Sequence, residues 1–381
     1  MSSKWILRMA CMMQVASMGI LFTFEAVRMK DLGIGETTIG INLGVSSGVF
    51  IFSSLYWGRL ADRKHWHKAI AVWGSLALSA LLVYFSICES VWEFLTYAIV
   101  KAILAPMVFG MMPALAVKAL GPKQQGRNFG VYRAFGSLGF LLGSMTLPII
   151  FNDIVTVARC GSLIIFLSFF LLRRLSEPET KPVHGAPLRI GELNSTLCLF
   201  FISFFFIALA EPAVHAFFTA YARHLGGSTR LLGILSGIMA ITSLIFLPLM
   251  GKWSDRANPV FIISIAFLAQ PLRVYIISFI GQAEMLWIPL LLHGLCWGGI
   301  EVAAIVYLSS LAKEGQKATV LSFYMAMRML GNLVGAGLTG YLAETYGYVV
   351  MFHTMATAAL IGAVIYIIGT YVLKIGQKGL K

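Results

Sequence analysis

Charge is what this sequence lacks most. Of 381 residues only 12% are charged, and only 16 are acidic. A soluble domain carries about 25% charged residues, so this chain cannot clothe a water-facing surface of its own length. Cysteine is sparse as well. The five cysteines, Cys11, Cys88, Cys160, Cys198 and Cys296, stand singly. That excludes a disulfide framework and a paired-cysteine zinc site, and leaves small apolar core residues. No phosphate-binding loop, no metal-ligand cluster and no nucleophile–base motif is present. ATP-driven work and enzyme chemistry are therefore not expected, and neither a catalytic residue, a metal nor a cofactor is assigned. The alternation of a membrane barrel strand is missing too.

What is there is hydrocarbon, at 59% of residues. A bilayer crossing needs ~20 apolar helical residues. Twelve such stretches can be drawn, at 5–28, 38–60, 68–88, 91–118, 122–150, 154–174, 194–222, 230–252, 259–280, 284–312, 318–342 and 347–373. Lipid offers no partner for unsatisfied backbone groups, so each must be helical. The expectation is an all-α membrane protein with about twelve transmembrane helices. The first run passes on to Glu25 without a small-residue cleavage site, so it is expected to remain as the first span. Trp92 and Trp287 fall near span ends, where interfacial anchors belong.

A net charge of +13 could point to nucleic acid, but its distribution argues against that. With both termini inside, the inner loops hold 20 of the 29 basic residues and the outer loops five. Such a bias places both ends in the cytoplasm, in a multi-pass protein of the inner membrane. The expected partners are membrane lipid, a small-molecule substrate and protons, with no nucleic acid.

The sequence repeats itself. Gly58-Arg-Leu-Ala-Asp62-Arg63 closes the second span and Gly251-Lys-Trp-Ser-Asp255-Arg256 the eighth, 193 residues on (251 − 58). Arg133-Ala-Phe-Gly136 in the fifth span is echoed by Arg328-Met-Leu-Gly331 in the eleventh, 195 residues on (328 − 133). Two motifs at nearly one offset indicate duplicated halves, 1–174 and 194–381. The segment 175–193, with Pro178, Pro182, Gly185 and Pro187, reads as a cytoplasmic linker. Parallel repeats of this kind are a transporter architecture.

These residues resemble the major facilitator superfamily. Gly58, Asp62, Arg63 and Lys68 are similar to its signature loop after the second helix, although Lys64-His-Trp-His67 stands where Gly-Arg is usual. The resemblance implies a loop that latches the halves, with Gly58, Asp62, Arg63, Gly251, Asp255 and Arg256 as the gating motif; the alternative is that these residues anchor helix ends. A narrower set consists of Arg133 with Gly136, Ser137, Gly139 and Phe140, then Leu272-Arg273, Leu292-His293-Gly294 and Tyr307. It resembles the lactose permease, phenylpropionate and nucleoside–proton symporter branch. That likeness implies substrate contact by Arg133 and a coupling role for Arg273 and His293, and the family is commonly monomeric. The carboxylate that the lactose permease carries three positions after its histidine is absent, and Cys296 takes its place. Glu301, two turns past His293, is the candidate substitute.

A charge at the bilayer centre costs ~2.5–3.5 kcal/mol on insertion scales, so the few present are functional candidates. They are Glu25, Glu211 and Glu301, and Lys101, Arg133, Arg273 and Arg328, with the rings of His215 and His293. A helix beginning at Gly121-Pro122 would place Arg133 near mid-membrane, where its guanidinium can bind a carboxylate or hydroxyls. Arg133, Arg328 and Arg273 are the candidate substrate contacts, and each can instead be a structural ion-pair partner. Glu211 and His215, one turn apart around the bend expected at Pro212, are the first candidates for proton coupling, with His293 and Glu301 beside them. The alternative is a polar knot holding the bend. Glu25 is expected at an interface, and Lys101 requires a cross-helix partner such as Glu25. The runs Phe200-Phe201 and Phe204-Phe205-Phe206 read as packing or lipid-facing, and the Gly136, Gly139, Gly143, Gly331, Gly335 and Gly337 series as close helix crossings.

The functional expectation is a secondary transporter, a proton-coupled symporter taking up a small polar or anionic solute by alternating access. An efflux antiporter on the same fold is the alternative. A membrane sensor without turnover has no supporting feature.

Overall fold

The computed structural model describes residues 3–120, 125–175, 194–256, 258–312 and 317–374. Among them the secondary structure is helical throughout, with no strand. Ten helices are long and apolar enough to cross a membrane. The difference from twelve has two local causes. The eleventh and twelfth crossings run together as Val320–Val372, divided only at Gly347, whose φ of 84° and ψ of 165° turn the chain where an L side chain would be strained. The seventh crossing is broken into Ser195–Leu209, Glu211–Val214 and Ala216–His224, so no piece of it is long enough alone.

Local chemistry sets the helix ends. Ser90 and Glu93 form a capping box before the fourth crossing, Val91–Phe109. Asp153 caps the sixth, Ile154–Arg173, through Val155 and Thr156. Asn258 caps the ninth, Pro259–Ile277, with proline at its first position.

The described chain forms two compact units, Met1–Pro182 with Thr219–Ala240, and Val183–Phe218 with Ile241–Lys381. In the first unit the fifth crossing, Gln125–Leu141 continued by a π-turn at Leu142–Thr146 and Leu147–Phe151, lies along the first, Ser3–Asp31. Glycine permits this. A Cβ on Gly139 would collide with the carbonyl of Met12, and one on Gly143 with that of Ala16. The second unit repeats the device, with Gly331 against Ala208 and Gly335 against the carbonyl of Leu209. Small residues let backbones meet where hydrocarbon gives helices no reason of its own to associate.

The Phe-rich runs pack as anticipated. Phe200 and Phe204 are fully buried and meet Phe267 and Tyr324 in an aromatic core of the second unit. All five cysteines are free thiols. The linker expected at 175–193 lies outside the described residues from 176 onward.

Candidate functional site

The second unit gathers most of the intramembrane charge. Arg328, on the eleventh crossing, is 7% exposed. It pairs with Glu301, and its Nε stands 3.2 Å from Glu211 Oε1. That second approach is off-line, so neither Nε nor Oε1 has a hydrogen-bond partner. One guanidinium thus serves two carboxylates. Asn332 donates to Glu211 Oε2 at 2.9 Å and to the Arg328 carbonyl at 3.0 Å. Arg328 also donates to the Tyr324 hydroxyl at 3.2 Å, and that hydroxyl donates to the carbonyl of Ile300 at 3.0 Å. The cation lies over the rings of Trp297, Tyr324 and Phe204, 5.0, 5.4 and 5.7 Å from their centroids.

Both carboxylates sit where helix geometry fails. Glu211 opens the short piece between Ala210 and His215, and His215 itself is non-helical at φ −118°, ψ −87°. Pro212 withholds a donor there, and the expected bend is a break. Glu301 lies within a π-turn, Gly299–Ala303, that interrupts the tenth crossing. Such turns recur at functional sites because they re-aim a side chain.

A second polar group adjoins the first. Arg273 Nη1 lies 2.5 Å from His293 Nδ1, with both residues buried. Arginine has no acceptor, so Nδ1 must accept and the imidazole is neutral with its proton on Nε2. The His215 ring stands edge-on to both His293 and Trp297, at 5.9 Å each. Trp297 lies near-parallel to His293, at 6.1 Å and 13°. Glu211, His215, Arg273, His293, Glu301 and Arg328 therefore belong to one cluster, although three crossings and the broken seventh supply them.

Arg133 stands apart. It is exposed, and no ion pair joins it among the described residues. Gly136 faces Cys11 and Gly139 faces Met12, which places Arg133 level with the first turns of the Ser3–Asp31 helix rather than at mid-span. The proposed start at Gly121-Pro122 lies outside the described residues. Arg133 and Arg328 share a motif but have opposite surroundings.

In the first unit Lys101 Nζ lies 2.6 and 2.5 Å from the two oxygens of Glu25. Glu25 is 6% exposed, so it is a buried partner and not an interface group. Of the gating motif, Asp62 is exposed and meets Nε2 of the buried His67 at 3.2 Å, Arg63 is exposed, and nothing stands within 4 Å of a Cβ built on Gly58. A Cβ on Gly251 would meet only Val302, at 4.0 Å. The side chains of Asp255 and Arg256 lie outside the described residues.

The cluster contains three residues not singled out from the sequence. Tyr324 and Asn332 lie four residues either side of Arg328, and Trp297 four after His293. The one-turn spacing was the available signal.

The chain has recognisable relatives among known proteins. A family model described as MFS_1 like family matches residues 4–354. Multidrug resistance protein MdtG of Escherichia coli is 25% identical over 384 residues, covering 93% of this chain and 91% of that protein. Among solved structures, a mutant of the nucleoside transporter NupG gives a TM-score of 0.84 at 14% identity, covering 96% of this chain and 99% of that one. A mutant of the peptide transporter POT gives 0.79 at 13%, covering 98% and 95%.

Proposed function

We propose that this chain, which belongs to the MFS_1 like family and is a multi-pass membrane transporter rather than an enzyme, is a proton-coupled symporter for a small polar or anionic solute. The observation that carries this reading is the sharing of Arg328 between Glu211 and Glu301. Two carboxylates on one guanidinium have an unequal claim on it. Adding one proton to the pair neutralises one acid and releases Arg328 to the other. The release is mechanical as well as electrostatic, because Glu211 rides on a short four-residue piece of the broken seventh crossing and Glu301 on a π-turn. Asn332 and Tyr324 hold the two positions of the guanidinium and the carboxylate. His293 accepts from Arg273 only while neutral, so a proton delivered to Nδ1 would set two donors against each other and break that contact.

In this reading Glu211, His215, His293 and Glu301 are the coupling groups. Arg133 is the open cation that meets the solute, and Arg273 and Arg328 exchange partners as protons arrive. The halves 1–174 and 194–381, linked through 175–193, are the alternating elements, with Gly58, Asp62, Arg63, Gly251, Asp255 and Arg256 as the gating motif. The protein works as a monomer in the inner membrane with both termini cytoplasmic.

The test is uptake of radiolabelled sugars, nucleosides and organic acids into proteoliposomes under an inward proton gradient. Accumulation that collapses with a protonophore and in Glu211→Gln or Glu301→Gln supports the reading. Uptake that persists in both variants overturns the coupling assignment. The match to MdtG along 93% of the chain favours a second reading, proton-driven efflux. It is distinguished in the same vesicles by solute leaving as protons enter.

A further inference from the structure

The polar cluster of the second unit has an open side. Arg328, Glu211 and His293 are buried and the Glu301 side chain is 10% exposed, while His215, Trp297 and Asn332 are partly exposed. Hydrocarbon does not accept a carboxylate and a carboxamide on its surface, so the open side of Glu301 and Asn332 faces water. Trp297 presents a large aromatic surface on that side. Its indole is held in place: the Arg328 guanidinium lies over it at 5.0 Å, the His215 edge meets it at 5.9 Å, and His293 lies near-parallel beside it. A tryptophan held among charged groups and partly exposed is poor packing and a good receptor, because a flat ring can stack on its π-face while polar groups nearby take the ring's substituents.

Building on the transport function proposed above, we infer that Trp297 is the stacking platform of the solute site. The cargo is then a solute with a flat unsaturated ring whose polar substituents are bound by Glu301 and Asn332. Glu301 links the two roles, since the carboxylate that shares Arg328 is also the one a ring substituent reaches. A saturated sugar ring has no π-face to offer, and a flexible aliphatic acid gains nothing from a fixed indole. Stacking tolerates many ring identities, because every such ring has a face, so selectivity within the class falls to the substituents.

The test is direct binding, measured by calorimetry on the full chain in detergent. The probes are uridine and 4-hydroxybenzoate, with glucose and mannitol as non-planar comparisons. The variants are Trp297→Leu, which keeps apolar volume, and Trp297→Phe, which keeps a ring. The expected result is binding of a planar probe, weakened on the order of tenfold by Trp297→Leu and largely retained by Trp297→Phe. Thermal unfolding of both variants verifies that they are folded. Failure of both planar probes to bind, or binding indifferent to Trp297→Leu, overturns the inference, as does binding of glucose or mannitol alone. The two proposals fail separately. Planar binding that needs Trp297, without proton-driven flux, removes the coupling and keeps the platform. Proton-driven flux of a non-planar solute in Trp297→Leu removes the platform and keeps the coupling.

Discussion

Arg223 grips Asp31 through two parallel hydrogen bonds, Nε to Oδ1 at 2.7 Å and Nη2 to Oδ2 at 2.6 Å, across 192 residues of sequence. Its third donor closes on the carbonyl of Gly227 at 3.0 Å. The pair ties the end of the first crossing to the last piece of the seventh within the first compact unit, where a buried hydrogen bond from Thr23 to Ser236 also joins the first crossing to the eighth. Both side chains are about a quarter exposed, so solvent screens the pair. Asp31→Asn and Arg223→Gln should each cost about 1 kcal/mol, and the double variant little more than either alone. Arg223→Lys should not restore the loss, because an ammonium cannot form the fork. Reversible unfolding in detergent measures all four.

Arg328 makes a sharper prediction. Arg328→Gln leaves two buried carboxylates sharing no cation, and should cost roughly 3–5 kcal/mol as a broken buried pair. Glu211→Gln leaves Arg328 paired with Glu301 and should cost less. Combining Arg328→Gln with Glu211→Gln should recover part of the loss. Recovery of none would mean that the guanidinium acts through its aromatic contacts and not through charge.

The glycine contacts separate close approach from open space. Gly139→Ala would place a Cβ against the Met12 carbonyl, which is backbone and cannot swing away. It should lower stability by about 1–3 kcal/mol as an overpacked contact. Gly58→Ala meets nothing within 4 Å and should leave stability unchanged or slightly raised, since alanine favours the helix. Paired thermal melts test the contrast. If Gly58→Ala nonetheless slows transport, the motif matters for motion and not for packing.

Asp153 sets an acid limit outside the spans. Partial burial pushes its carboxyl up, but hydrogen bonds from the Thr156 side chain and backbone and from Val155 outweigh that and hold it below its ordinary range. A depressed carboxylate stabilises the fold above its unfolded pKa, and that stability is lost as pH falls through the folded value. The loss therefore begins below about pH 4. Asp153→Ala should remove about 1 kcal/mol of capping at neutral pH and flatten this acid limb. Melts between pH 3 and 7 would show both effects.

Much of this was readable in advance. Long apolar runs specify crossing helices because lipid leaves no other solution, and Pro212 marked the weak point of the seventh crossing. Lys101 had to find a partner across helices, and Glu25 was one of the three acids within spans that could supply it. The π-turn that carries Glu301 was not legible, since it arises where Gly298 and Gly299 let the tenth crossing lie against Met250 and Ala266. Nor was the contrast between Arg133 and Arg328. The two share a motif, and only the glycine register and the neighbouring acids distinguish an open cation from a buried one. Trp297 offers only its one-turn spacing from His293, a weak signal for a tryptophan in an apolar run.

The interruption of the seventh crossing has a kinetic side. An unbroken helix locks each amide to a carbonyl four residues back, and such amides in hydrocarbon exchange their protons with water extremely slowly. At Ala210 and at His215, either side of the short helical piece Glu211–Val214, that ladder is disturbed. The amides of Ala210 and His215 bond three back, to Ile207 and Pro212, and Pro212 contributes no amide. These few residues should take up deuterium ahead of the helices on either side, although they lie amid buried side chains. A fast-exchanging island inside a span would identify the point where the chain yields during turnover, and its dependence on pH would report the proton occupancy of Glu211 without any solute present.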